Sequence, residues 1–381
     1  MKKNEQNIFH IGFVGGGISS TIGLTHILAS QLDGRWKLVS GFFSRKHETN
    51  LETAKEWNIN QNRVYNSLKQ FVLSEKNKLD VVVVLTPAPN HVTTICELLK
   101  SGISIICDKP LASTLEDGYK IQEYHHKYPN FFTVTYNYSG YPMVRELKAL
   151  IENGSLGKIQ KFNFEMPQEG FIRLSNLTGQ LSAPKDWRLK DESIPIICLD
   201  LGTHLHHLAN FFLNSEPVKV MGLFSNHSAY KGIVDDAMMW LRYADGVTGS
   251  FWMSKTALGN RNGLRLRLYG TKGSAEWIQT EPENLYISYQ DGTRVVLDRA
   301  SKGLVSNSKR YNRYVAGHPA GFIEAFANLY SDIADALSSF KLTGNYKNTY
   351  IFDIDHSING LKLFSAASKS NDFKKWISLD D

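Results

Sequence analysis

The sequence predicts an α/β protein in two parts, a doubly wound parallel sheet followed by a second half built around antiparallel strands. Three observations carry this. Strand-like and helix-like segments alternate strictly from residue 9 to about residue 138. A glycine triplet, Gly15-Gly16-Gly17, closes the first strand. Beyond about residue 140, strand-like runs follow one another across tight turn signals. A length of 381 residues exceeds what one hydrophobic core usually serves, so two domains are expected, residues 1–139 and 140–381.

Residues 9–14 form a short apolar run that stops at the triplet, and residues 20–31 follow as a helix carrying Ile22, Ile27 and Leu28. Residues 37–43 read as the second strand, with helix-compatible stretches at 54–57 and 67–73. Val81-Val82-Val83-Val84-Leu85 is the clearest strand, because an unbroken run of β-branched and large apolar residues suits burial on both faces. A helix over 93–100 is followed by Gly102, where a C-terminal cap belongs. Residues 103–107 are the next strand, 115–126 the next helix and 131–136 the last strand of this half. An amphipathic helix at 143–152 then precedes strands at 159–165, 218–224, 237–243, 247–253 and 264–269. Asp245-Gly246, Gly270-Thr271-Lys272-Gly273 and Asp291-Gly292 supply turns. Residues 200–213 and 320–340 read as helices, and 300–318 as the longest loop.

Composition narrows the function classes. Hydrophobic residues at 42% and charged residues at 21% describe a folded globular chain rather than a disordered or fibrous one. The formal net charge is +6, but the basic residues are scattered, so charge selects an anionic cofactor no less than nucleic acid, and no basic cluster points to nucleic acid. Cys96, Cys107 and Cys198 are too few, and too irregularly spaced, for a disulfide framework and fit a reducing compartment. Residues 1–7 lack the apolar core of a signal peptide, and no apolar stretch reaches membrane-spanning length. The expected setting is the cytoplasm, without membrane or nucleic-acid partner.

Five segments carry chemistry. Gly15-Gly16-Gly17-Ile18-Ser19-Ser20 joins a strand to a helix, where glycines let the backbone approach a pyrophosphate and helix N–H groups meet its charge. The third glycine of the dinucleotide fingerprint is absent: Ser20 stands there, and Gly23 comes three residues later. The second strand ends at Ser44-Arg45-Lys46 with no acid for a ribose 2′-hydroxyl; Ser44 and Arg45 either hold a 2′-phosphate or form a solvated basic turn. Thr86-Pro87-Ala88-Pro89-Asn90-His91 follows the valine strand, at the strand end where such sheets bind ligands; Asn90 and His91 read as ligand contacts or as helix caps. Asp108-Lys109-Pro110-Leu111 ends the next strand, and Lys109 reads either as a cation for a developing alkoxide or as an exposed loop lysine. Asp200 and His204 are four apart on a helix and share a face, an arrangement that suits a general base. His206 and His207 beside them keep metal and core-histidine readings open, although no set of ligands for a metal is complete.

On these residues the chain resembles the Gfo/Idh/MocA family, named for glucose–fructose oxidoreductase, inositol dehydrogenase and a rhizopine-catabolism protein. The likeness runs from about Ile11 to Asp335 and also rests on Glu152-Asn153-Gly154-Ser155-Leu156-Gly157, Trp187-Arg188 and Gly270-Thr271-Lys272-Gly273. The resemblance implies an N-terminal Rossmann domain for NAD or NADP and a C-terminal α/β domain with a large, mostly antiparallel open sheet, often used for dimer or tetramer contacts. It implies Lys109, Asp200 and His204 as the catalytic set. Tyr138-Ser139-Gly140-Tyr141-Pro142 and Gly317-His318-Pro319 resemble a subgroup acting on sugars or cyclitols, with Tyr138, Trp187, Arg188 and His318 as candidate substrate contacts. Two departures stand out. Ile194-Pro195-Ile196-Ile197-Cys198 replaces a glycine-rich loop and predicts a more apolar pocket wall, and His207 stands where the family commonly has Asp.

The expected activity is therefore reversible oxidation of a secondary hydroxyl on a sugar, glycoside or cyclitol. Two other classes remain: an enzyme that uses held NAD to assist glycoside hydrolysis or elimination, and a nonenzymatic NAD(P) sensor.

Overall fold

The computed structural model describes residues 8–181, 184, 186–346 and 348–379. It divides into two compact units, Met1–Gly140 with Phe322–Ile358, and Tyr141–Gly321 with Asn359–Asp381. The chain leaves the first unit within a residue of the expected boundary but returns to it, so the expected domain 140–381 is not one continuous piece.

The first unit opens with β1 (Phe9–Gly15), α1 (Thr21–Gln31), β2 (Trp36–Phe42), α2 (His47–Glu56) and α3 (Leu68–Glu75). It continues through β3 (Val81–Leu85), α4 (His91–Lys100), β4 (Ile105–Asp108), α5 (Leu115–Lys127) and β5 (Phe132–Thr135). The strands pair in the order β2-β1-β3-β4-β5, all parallel. Every residue of β3 is buried, as its unbroken apolar run requires. Ser20 caps α1, Ser67 caps α3 and Thr114 caps α5, each accepting a backbone N–H three residues on. Because the order reverses at β1, the carboxyl ends of β1 and β3 border the crevice where such sheets bind ligands.

The second unit begins with α6 (Pro142–Glu152) and β6 (Ile159–Pro167). A π-helical turn, Cys198–Gly202, leads into α7 (Thr203–Leu213). Seven strands follow: β7 (Lys219–Ser225), β8 (Asp236–Arg242), β9 (Thr248–Ser254), β10 (Arg265–Gly270), β11 (Gly273–Ile278), β12 (Leu285–Tyr289) and β13 (Arg294–Leu297). The chain then returns to the first unit with α8 (Phe322–Thr343) and the start of α9 (Ile354–Phe373), and ends in the second unit with the rest of α9 and β14 (Ile377–Ser378). The nine-stranded sheet runs β13-β12-β11-β10-β6-β9-β8-β7-β14, antiparallel except where β6 meets β9. Its strands alternate: Ala237, Met239 and Leu241 are buried, while Met238, Trp240 and Arg242 face the other way and are half-buried or exposed. The sequence reading missed β11, β12 and β13, which are short and mix apolar with Ser, Glu and Arg residues, so their alternation is weak.

Helix α8 explains the return of the chain. Phe326, Leu329, Tyr330, Ile333 and Leu337 join Phe9, Ile27, Trp36 and Ile106 in one apolar cluster. Burial of each large side chain contributes about 1.5–3 kcal/mol. The Trp36 indole donates to the Tyr330 carbonyl at 3.1 Å, a contact across 294 residues that no local pattern announces. No helix among the described residues is long and apolar enough to cross a membrane.

Candidate functional site

In the first unit the glycine turn is shaped by the main chain. Gly15 and Gly16 hold φ of +84° and +70°, the left-handed region that disfavours side chains. A Cβ at Gly15 would lie 2.7 Å from the Leu85 carbonyl, so the end of β1 lies against the end of β3. A Cβ at Gly23 would lie 1.8 Å from the Gly16 oxygen. The close helix–strand approach that the fingerprint's third glycine normally permits is thus supplied by Gly23, nearly one helical turn beyond Ser20. Ser20 N donates to the Gly17 carbonyl at 2.7 Å, and Ile18 N donates to Thr53 Oγ1 at 3.0 Å. The Ile18 amide is therefore spent on bracing the turn, whereas Ser19 stands exposed at the head of α1.

Asn50 fixes the loop after β2. Its side chain accepts from Ser44 N and donates to the Ser44 carbonyl, both at 2.8 Å, while Arg45 stays exposed. After β3, Asn90 is exposed and makes no side-chain cap on α4. His91 is 1% exposed; its Nε2 faces the Thr86 carbonyl at 2.8 Å and its Nδ1 the Pro110 carbonyl at 2.9 Å. The ring ties the loop after β3 to the loop after β4, which corrects the expectation of a direct ligand contact. Burial pushes this imidazole below its ordinary range, against the Asp108 charge and the carbonyl contacts.

Asp108, at the end of β4, is wired in. Its Oδ1 accepts from Thr135 Oγ1 at 2.9 Å and meets His26 Nε2 at 3.3 Å, while His26 Nδ1 meets Tyr330 OH at 2.7 Å. Burial pushes the Asp108 carboxyl up, but His26, Lys109 and Thr135 outweigh it and hold the group below the ordinary carboxylate range. Lys109 is half-buried beside it. Tyr138 is 4% exposed with its ring against Phe322. Two buried polar atoms at strand ends, Thr86 Oγ1 and Asn137 Nδ2, have no hydrogen-bond partner among the described residues. Such atoms are costly unless a ligand or solvent satisfies them. The glycine cradle, the helix start and these two atoms fit a dinucleotide.

In the second unit Asp200 sits on the π turn, not on a regular α-helix as the spacing predicted. Its Oδ2 accepts from Lys255 Nζ at 2.8 Å, and its Oδ1 lies 3.7 Å from the Arg188 guanidinium. His204, in the first turn of α7, is 6% exposed. The adjoining histidines have separate surroundings: His206 meets Glu216 at 2.7 Å, and His207 is fully buried beside Phe211. Burial drives His207 well below its ordinary range. Among the described residues no cluster of three or more His, Cys, Asp or Glu could hold a metal. Ile194, Ile197 and Cys198 are buried, and Ile196 between them is half-buried. Asp191 holds this segment by accepting from Ile196 N and Val234 N at 2.8 and 2.6 Å. The His318 imidazole is exposed on the loop that Arg299 gathers, its guanidinium donating to the Tyr311, Tyr314 and His318 carbonyls. The side chain of Trp187 lies outside the described residues.

Three residues escaped the sequence reading, Asn50, Gln168 and Lys255, and none had a signal, because their partners are fixed by tertiary register. Gly23 was noted there as the next glycine after the fingerprint, and the structure gives it the close approach to Gly16.

Comparison with known proteins follows the same division. Residues 9–136 match the oxidoreductase family model described as the NAD-binding Rossmann fold, and residues 144–276 match the GFO/IDH/MocA C-terminal domain. A Bacillus subtilis relative named as the uncharacterized oxidoreductase YfiI is 27% identical over 378 residues, spanning 96% of this chain and 95% of its own. A solved oxidoreductase from Sinorhizobium meliloti is 31% identical, with a TM-score of 0.83 over 98% of this chain and 100% of its own. An inositol dehydrogenase homolog from Azotobacter vinelandii, solved with NADH and myo-inositol, is 25% identical with a TM-score of 0.87 over 98% of each chain.

Proposed function

The chain belongs to the Gfo/Idh/MocA oxidoreductase family, with that family's NAD-binding domain, and from this premise we propose that it oxidises a secondary hydroxyl of a sugar or cyclitol, reversibly. The observation that carries the reading is Lys109 at the carboxyl end of β4, beside a carboxylate wired through His26 into the helix that starts at the glycine turn. Bound NAD(P) supplies a hydride acceptor at the nicotinamide. His204 takes the hydroxyl proton as general base. Lys109 polarises the same oxygen as negative charge develops on it. Asp200, paired with Lys255 and facing Arg188, acts as a holder rather than a proton acceptor. Tyr138, Arg188 and His318 contact the ring and its hydroxyls.

Ser44 and exposed Arg45, with no acid at the end of β2, favour NADP at least as much as NAD. The Azotobacter homolog's myo-inositol supports a polyol substrate. The half-open face of the nine-stranded sheet, with Leu223, Met238, Trp240 and Trp252, is the surface for a homodimer or homotetramer. Buried, unbridged Cys96, Cys107 and Cys198 support a cytoplasmic setting.

The test is a spectrophotometric screen of free cyclitols, aldoses and glycosides against NAD and NADP. Net formation of reduced nicotinamide with a free polyol or aldose is expected. Aglycone release without net reduced nicotinamide would instead assign redox-assisted glycoside cleavage, and nucleotide binding without turnover of any compound would assign a sensor.

A further inference from the structure

Lys255 immediately follows β9, and β6 and β9 are parallel and in register from Lys161↔Thr248 to Pro167↔Ser254. The next residues on the two strands, Gln168 and Lys255, therefore stand side by side, and Gln168 N donates to the Ser254 carbonyl at 2.7 Å. The Lys255 main chain is held on both sides: its N–H donates to the Asp235 carbonyl at 2.8 Å, and its carbonyl accepts from Phe171 N at 3.0 Å. Its ammonium, on a side chain only 11% exposed, donates to Gln168 Oε1 and to Asp200 Oδ2, both at 2.8 Å.

The Gln168 amide is itself oriented. Its Nε2 donates to Asn262 Oδ1 at 2.9 Å, Asn262 Nδ2 donates to Gln279 Oε1 at 3.1 Å, and Gln279 Nε2 donates to Tyr141 OH at 3.1 Å. A row of polar side chains thus ends on the ammonium, and the ammonium ends on the carboxylate. A lysine this enclosed loses solvation and keeps its charge only with partners of this kind. An ordinary surface pair would leave the carboxylate free to turn. Here one oxygen is fixed by Lys255 and the other faces Arg188.

We infer that Lys255 is a positioning residue for the reaction: through the Gln168–Asn262–Gln279–Tyr141 row, its ammonium fixes Asp200 in one orientation and keeps it ionised. The inference rests on the reading of Asp200 as a member of the catalytic set. It makes the carboxylate a fixed charge and leaves proton transfer to His204.

The test uses the full chain labelled with carbon-13 at aspartate carboxyls, the Asp200 signal being the one missing from Asp200→Asn. In Lys255→Met the titration midpoint of that signal moves up by about 1–3 pH units. In Gln168→Leu, which keeps the ammonium but loosens it, the midpoint moves in the same direction by less. With whichever free sugar or cyclitol the screen identifies, kcat falls about 10–100-fold in Lys255→Met, as for other residues that orient a working group, while nucleotide affinity is unchanged. An unmoved midpoint overturns the inference, and Gln168→Leu decides it if Lys255→Met does not fold. Parent-like turnover in Lys255→Met beside an inactive Asp200→Asn overturns this inference alone. Parent-like turnover in Asp200→Asn overturns the reading beneath it, and this one too.

Discussion

The ends of the two sheets hold their functional groups by opposite means. At the end of β1 the working surface is main chain: two glycines at positive φ, a helix start capped by Ser20, and Gly23 against Gly16, all within nine residues. Around Asp200 the working surface is side chain, drawn from Gln168, Arg188 and Lys255 on separate segments. A pyrophosphate is met by N–H groups that every non-proline residue carries, so the constraint there falls on backbone shape. A carboxylate's charge and direction depend on particular cations at particular places. Added atoms should therefore damage the first region, and lost charges or ring nitrogens the second.

The largest expected effect is in the second region. His204→Ala should lower kcat by about 10²–10⁴-fold, the usual loss for a general base, with nucleotide affinity retained; steady-state kinetics and fluorescence titration check both. Lys109→Met comes next, with a loss of about 10²-fold in turnover and little change in nucleotide binding. If binding and turnover fall together, Lys109 serves the cofactor alone and the contrast between regions sharpens. Arg45→Ala should weaken NADP by about tenfold, the loss of one charge-assisted bond, and leave NAD nearly untouched. Equal losses for both nucleotides would return Arg45 to the solvated turn.

Gly23→Ala tests the first region by adding one methyl group. Its carbon would meet the Gly16 oxygen at 1.8 Å, so α1 must move. A loss of about 1–3 kcal/mol in urea unfolding is expected, together with weaker nucleotide binding. Unchanged binding would show that the helix start is not where the pyrophosphate sits.

The smallest effect concerns His207, held well below its ordinary value of 6.5 by burial. Below that value the unfolded chain binds a proton that the folded chain refuses, so stability falls as pH falls. The slope is about 1.4 kcal/mol per pH unit until the folded group itself titrates. Substitution by Asn should flatten the decline between neutral pH and about pH 5 by up to this slope, as measured by denaturant unfolding at several pH values.

The same contrast explains what was legible in the sequence. The valine run of β3, the glycine turn and the strand-end positions of Thr86 and Lys109 follow from local rules. The π turn at Asp200 does not, because the spacing from Asp200 to His204 reads equally well as an ordinary α-helix. Neither does the place of α8, whose amphipathic pattern gives no hint that Phe326 and Tyr330 complete a core begun at Phe9. Lys255 was the least visible. Only the parallel register of β6 with β9 brings it beside Gln168, and those strands are separated by several other elements in sequence.

The central claim is direct hydride transfer from a carbinol carbon to the nicotinamide, and isotope transfer tests it most directly. The polyol identified by the screen is deuterated at the reacting carbon and turned over with unlabelled NAD(P) in ordinary water. The account predicts one deuteron at nicotinamide C4 for each turnover, on one face of the ring, and slower oxidation than with the unlabelled polyol. Reduced nicotinamide that carries no deuterium, or product formed while the label washes into water, would contradict it.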